Sequence, residues 1–221
     1  QNLSWGLCAV IAGGLADRYG NLRVILGGVA LYALGMWGMA HSTTALAVNS
    51  TAGLFVGAGV AGTSFGIVLP SLVKAVPEEK RAWVLGVGTA AGSFGQFLVV
   101  PVIQVVVESV GWFQTLQYLS MSAFMMAVLA IPLAQRSAAS IAKESGQESL
   151  SLLSVARGAL KVRAYLLLLL GFFVCGFHVA FITVHMPGYV VDLGFSPQVG
   201  AWSISLIGLC NVIGAYYSGI L

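Results

Sequence analysis

His178 and His185 are the side chains of this chain best suited to chemistry. They stand seven residues apart in an apolar run from Ala164 to Val191, so helical spacing puts them on one face with Gly171, Cys175 and Tyr189. Histidine changes charge between about pH 5 and 8. A titratable group inside an apolar helix is a candidate for carrying a proton or touching a solute. Two readings stand: a neutral pair hydrogen-bonded within a helix bundle, or a pair lining a cavity. His178 lies near the middle of its run, and His185 lies nearer one end, just before Pro187-Gly188.

A second polar set lies between Ala82 and Val107. Thr89, Ser93, Gln96 and Gln104 share a helical face about a right angle from a ridge of Gly88, Ala91, Gly92 and Gly95. Small residues invite close helix contact. Amides beside lipid are costly, so the glutamine face should meet protein or a water-filled cavity. For Gln96 and Gln104, and for Asn211 further along, a helix-to-helix hydrogen bond and a solute contact are both open. Pro101, between the glutamines, invites a kink.

Other chemistries are absent from the sequence. No HExxH, nucleophile elbow or phosphate loop appears, so an enzyme is not expected, and no cofactor is called for. Cys8, Cys175 and Cys210 sit in apolar runs without CxxC spacing and read as packing residues, not as metal ligands. A net charge of +3 over 221 residues gives no case for nucleic acid.

The elements that must position these groups are membrane helices. Of the residues, 58% are hydrophobic and 8% are charged, and mean hydropathy is +0.94. Soluble domains carry about 25% charge. Apolar runs cover residues 1–16, Val24–Ala40, Ala45–Val73 (interrupted at Pro70), Ala82–Val107, Phe113–Leu133, Ala164–Val191 and Val199 to the end. Each is long enough, or nearly so, for a core of about 30 Å. Turns are expected at Asp17–Arg23, His41–Thr44, Lys74–Arg81, Glu108–Trp112 and Asp192–Gln198. The polar stretch Gln135–Arg163 reads first as a flexible linker. Its second half reads as an amphipathic surface helix, with Ser151, Ser154, Arg157 and Lys161 opposite Leu152, Leu153, Val155, Ala156 and Leu160. All ten Lys and Arg residues fall in alternate connections: the first turn, residues 74–81 and residues 135–163. The positive-inside rule therefore places those connections in the cytoplasm.

The first turn carries a motif. Gly13-Gly-Leu-Ala-Asp17-Arg18-Tyr-Gly20-Asn-Leu-Arg23 resembles the G-x-L-A-D-R-x-G-x-x-R loop between the second and third helices of the major facilitator superfamily, with Leu22 where a basic residue is usual. The resemblance implies an all-α, polytopic membrane helix bundle of twelve helices, of which the second to eighth are present. It makes Gly13, Asp17, Arg18, Gly20 and Arg23 a conformational latch. The implied organisation is an N-terminal bundle over residues 1–134, a cytoplasmic linker over 135–163 and the start of a C-terminal bundle over 164–221. A start at Gln1 and a stop within an apolar run suit a window of a larger protein. A weak internal echo agrees: Gly208-Leu-Cys-Asn-Val-Ile213 is similar to Gly6-Leu-Cys-Ala-Val-Ile11.

The run from Cys175 through Pro187-Gly-Tyr-Val-Val-Asp192-Leu-Gly194 resembles the monocarboxylate and oxalate–formate branch, whose seventh helix ends in P-x-Y-x-x-D-x-G. That resemblance implies a secondary transporter of a small organic acid, working by alternating access as a symporter or antiporter with H⁺ or an exchanged anion. It would be a monomer in the plasma (inner) membrane. The Asp and Arg of that branch's eighth helix are replaced here by Asn211 and Ala215, so a cation for a carboxylate would have to come from elsewhere. A drug efflux porter, or a non-transporting receptor of the same fold, is the alternative.

Overall fold

The structure is a computed structural model that describes the backbone of residues 1–144 and 157–220, with side chains for 1–131 and 157–220. Among the described residues there is helix and no strand, as the composition leads one to expect. The chain is all-α, and among the described residues five helical segments are long and apolar enough to cross a membrane.

Helix α1 (Asn2–Tyr19) and helix α2 (Asn21–Ala40) are separated by one residue, Gly20. Its φ of 89° is a conformation that side chains with a Cβ rarely adopt, and its N–H bonds to the Ala16 carbonyl at 2.9 Å. The turn is therefore tighter than the expected Asp17–Arg23. Asp17 and Arg18 belong to the last turn of α1, and Arg23 belongs to the first turn of α2.

The third apolar run is segmented. Thr44 caps α3 (Ala45–Val48) by accepting from the Ala47 N–H at 3.2 Å. A π-helical stretch, Asn49–Phe55, leads into α4 (Val56–Thr63). The chain then breaks at Ser64, where ψ is 165°, and restarts as α5 (Phe65–Lys74). The break was expected at Pro70, but Pro70 lies inside α5. The carbonyl four residues before Pro70 is that of Gly66, which lies inside α5, so the break at Ser64 lies beyond the reach of the proline ring. The hydroxyls of Thr63 and Ser64 donate to the carbonyls of Gly59 and Ala61 there, at 3.2 and 2.9 Å.

Helix α6 (Arg81–Glu144) contains one non-helical residue, Gly111, with φ 83° and ψ 168°. The backbone stays helical through Pro101, and the expected five-residue turn reduces to Gly111. Its two arms run in opposite directions. The Phe113 ring meets the His41 ring edge-on, with centroids 5.3 Å apart, while Ser120 Oγ donates to the Ala33 carbonyl at 2.9 Å, so the second arm lies antiparallel to α2. That arm continues to Glu144, well into the stretch read as linker. The amphipathic reading of residues 151–163 falls largely outside the described residues. Of its polar face, Arg157 and Lys161 are described and exposed. Helices α7 (Arg163–Asp192) and α8 (Pro197–Ile220) complete the order.

Alanine and glycine dominate the core. Ala12, Ala16, Ala33, Ala61, Ala123 and Ala130 surround Ile25, Val29 and Ile67, while most large apolar side chains point outward. A soluble protein would bury them. A helix bundle in lipid has no such need, and packs through small residues instead. The Gly88–Gly92 ridge of α6 faces α5: a Cβ on Gly88 would meet Leu69, and one on Gly92 the Phe65 ring.

The connections fall into two groups. Gly20 and residues 75–80 lie at one end, tied by Asn21 Nδ2 donating to Ser71 Oγ and to the Ile67 carbonyl. Residues 41–44, Gly111 and the start of α8 lie at the other, joined by the His41–Phe113 contact and by Glu108 to Gln198. The basic residues with described side chains cluster toward the first end, within the connections or the adjoining helix turns.

Candidate functional site

The first arm of α6 and helix α8 run antiparallel and in contact along most of their length. Near the cationic end, a Cβ on Gly86 would fall 2.7 Å from the Cα of Gly219, and one on Gly219 would fall 2.8 Å from the Cα of Gly86. Midway, a Cβ on Gly208 would fall 2.9 Å from the Ser93 carbonyl oxygen. Only glycine permits backbones this close.

Two hydrogen bonds cross the seam in opposite senses at its middle. Gln96 Nε2 donates to the Ile204 carbonyl at 3.3 Å, and Ser205 Oγ donates to the Phe97 carbonyl at 2.6 Å. Ser205 is fully buried. The glutamine face of α6 thus meets protein at Gln96, by the helix-to-helix bond left open by the sequence. The Ile204 carbonyl also faces the Gly208 N–H of its own helix, so Gln96 adds a second bond to it, whereas the Phe97 carbonyl stands four residues before Pro101, which has no N–H, so Ser205 supplies the donor that the helix lacks there. Bonds of this kind in membranes contribute about 0.6 kcal/mol on average.

At the far end a carboxylate joins the seam. Glu108 Oε1 accepts from Gln104 Nε2 at 2.8 Å and from Gln198 Nε2 at 2.7 Å. Gln104 therefore bonds along its own helix, one turn on, while Gln198 reaches across from α8. Glu108 and Gln198 are exposed.

The histidines stand apart from this seam. His178 Nδ1 pairs with the Val174 carbonyl of its own helix at 2.9 Å, and the His185 ring lies 5.0 Å from that of Phe181. Both are exposed, and among the described residues no hydrogen bond joins either to Gln96, Gln104 or Asn211. Helix α7 approaches α8 near their connection, where a Cβ on Gly200 would lie 3.2 Å from Pro187 Cα. Asn211 is exposed on α8.

Of the first-turn motif, Asp17, Arg18 and Arg23 are exposed. The Arg18 guanidinium lies 5.4 Å from the centre of the neighbouring Tyr19 ring. The ion pair found among the described residues is elsewhere, between Arg81 and Glu78 at 3.7 Å. Gly20 provides the reversal. A Cβ on Gly13 would meet nothing within 4 Å, so no described neighbour presses on it. No group of three metal-binding side chains occurs among the described residues.

Glu108, Gln198, Ser205 and Asn21 were not singled out by sequence reasoning. The four-residue spacing of Gln104 and Glu108 was a usable signal, because side chains so placed meet on a helix. Pro101 was a signal as well, because it leaves the Phe97 carbonyl four residues earlier without a ladder donor, whereas the Ile204 carbonyl carried none.

The chain has relatives among known proteins. It is 30% identical over 112 residues to the putative transporter SVOPL of Danio rerio, covering 48% of this chain and 20% of that protein. It is 33% identical over 118 residues to probable anion transporter 3, chloroplastic, of Arabidopsis thaliana, covering 48% and 21%. With probable anion transporter 2, chloroplastic, of Oryza sativa subsp. japonica it shares 31% over 145 residues, covering 60% and 26%. The matched portions are thus about a fifth to a quarter of the length of these relatives. No solved structure gives a significant match. Residues 3–221 match the family pattern described as Major Facilitator Superfamily; with its all-helical membrane architecture and its motif turn at Gly20, the chain belongs to that superfamily.

Proposed function

We propose that this chain is part of a secondary transporter that moves a small anion, with an organic acid such as a monocarboxylate as the leading substrate, by alternating access between two halves. Residues 1–134 form one half and residues 164–221 begin the other. The observation that carries the reading is the α6–α8 seam. It joins the halves through glycine contacts and three crossing hydrogen bonds, so the halves can move against each other without unfolding either. The names of the two plant relatives, probable anion transporters, support an anion. The P-x-Y-x-x-D-x-G run at Pro187–Gly194 supports a carboxylic acid.

In this reading His178 contacts substrate or the coupling proton, with His185 nearer the outer mouth and Gln104 and Asn211 as further candidates. Gln96 serves the seam. Asp17, with Arg18 and Arg23, latches the cytoplasmic end. The coupling species is H⁺ or an exchanged anion, and the unit is a monomer in the plasma or inner membrane. Efflux of an apolar drug is the second reading. Asn211 and Ala215 favour it, since they stand where the carboxylate porters place a charged pair.

Purified full-length protein in liposomes tests the proposal. An inward proton gradient should drive accumulation of labelled lactate or oxalate, with labelled phosphate as a comparison anion. Accumulation of a lipophilic cationic dye in inverted vesicles, without lactate or oxalate uptake, would favour efflux. Binding of lactate or oxalate without accumulation of any probe would make the protein a receptor.

A further inference from the structure

We propose that Glu108 and Gln198 form a latch that holds the outer end of the α6–α8 seam closed, with Gln104 as the residue that positions the carboxylate. The inference rests on the reading of α6 and α8 as members of two moving halves.

The three levels of the seam differ in kind. Near the cationic end it is backbone against backbone, at Gly86 and Gly219. At the middle, Gln96 bonds to a carbonyl already engaged in a helix, Ser205 bonds to the Phe97 carbonyl that Pro101 leaves without a ladder donor, and Ser205 is sealed from solvent. Separating the helices there strands a donor away from water, which is costly. At the outer end the tie is side chain to side chain, Gln198 Nε2 to Glu108 Oε1 at 2.7 Å, between two exposed residues. When it breaks, both groups return to water, and when it forms, the acceptor is a charged oxygen. A tie that opens without stranding a buried polar group, yet adds a directional bond on closing, has the properties of a gate.

Gln104 adds selectivity of geometry. Its amide holds the same Oε1 at 2.8 Å from within α6, so the carboxylate is held in a fixed orientation when Gln198 arrives. The lost freedom is then taken up along the helix, and not at the moment of closure.

The test reads outer-end opening directly. Cys8, Cys175 and Cys210 are changed to serine in the full-length protein, and Ala201→Cys serves as reporter. Ala201 is buried one turn beyond Gln198, three and four residues before the seam residues Ile204 and Ser205. An impermeant maleimide applied from outside should label it slowly with Glu108 in place. With Glu108→Ala it should label about tenfold faster, the population shift expected for loss of one charge-assisted bond. Exchange of the partners, Glu108→Gln with Gln198→Glu, should return labelling to the slow rate, which general loosening of the helices would not do. Unchanged labelling in Glu108→Ala, or no recovery on exchange, would overturn the latch. Lactate and oxalate uptake by the same preparation reads the transport proposal separately. Fast labelling in Glu108→Ala with no uptake by the parent would leave the latch standing and count against transport of those acids.

Discussion

Gly28 and Gly62 touch backbone to backbone: a Cβ added to either would lie 2.9 Å from the Cα of the other. This contact clamps α2 onto α4 beside Val29 and Ala61, both almost fully buried. Gly28→Val or Gly62→Val should force the helices apart and destabilise the bundle by about 1–3 kcal/mol, as overpacking does. Gly27→Ala, whose Cβ would meet nothing within 4 Å, should be close to neutral. Melting temperatures in detergent for the three variants check this. Equal loss in all three would show that helix propensity, and not the clamp, sets stability.

The α6–α8 seam should depend on the Ser205 bond as well as on its shape. Ser205→Ala leaves the Phe97 carbonyl, which faces the missing N–H of Pro101, without a donor, and should cost about 1–3 kcal/mol. Gly208→Leu pushes a side chain into the Ser93 and Phe97 backbone and should cost a similar amount, as overpacking does. Melting temperatures in detergent read both, and an unchanged value in Ser205→Ala would show that the Phe97 carbonyl finds another donor.

Asp17→Asn should reduce transport several-fold at unchanged protein level. Asp17 is exposed in the last turn of α1, where a negative charge opposes the helix dipole, so its loss should if anything steady the helix by a few tenths of a kcal/mol. Uptake normalised to membrane abundance is the readout, and full uptake would remove this aspartate from the transport cycle.

For His178 the comparison is with His185. If His178 meets substrate, His178→Ala should weaken substrate binding several-fold, read as the concentration for half-maximal uptake at matched membrane abundance. His185→Ala should do less. A normal affinity in His178→Ala would leave this histidine as a ring bonded to the Val174 carbonyl and nothing more.

Sidedness is open to a direct check. Single cysteines at Thr43 and Phe195 should react with an impermeant thiol reagent from outside intact cells, and one at Glu79 should not. Labelling of Glu79→Cys from outside would invert the orientation drawn from the basic residues.

The positions of the turns were legible in the sequence and their sizes were not. Gly20 stood out because a reversal among charged residues needs a positive φ, and it has one. The same reasoning spread a later reversal over Glu108–Trp112, whereas Gly111 alone makes it. Polar residues mark where water begins, and a helix can run into water before it ends. Pro70 was visible, but the chain stays helical through it and breaks six residues earlier, at Ser64, where nothing in the residue types announced it. Gln96 announced that its face must meet protein. Its partner, the Ile204 carbonyl, could not be found from side-chain types at all. Gln198 looked like a loop residue until α8 was seen to start at Pro197.

The brevity of the reversals at the end away from the cations has a consequence for control. Residues 41–44, the single Gly111 and residues 193–196 are all that join the helices there. Among the described residues, a protease or an antibody approaching from that side would find no connection longer than four residues to grip. The opposite side carries the six-residue connection 75–80, with Glu78, Glu79 and Lys80. Among the described residues, a binder that needs a longer segment would therefore meet it on the side where the arginines and lysines lie.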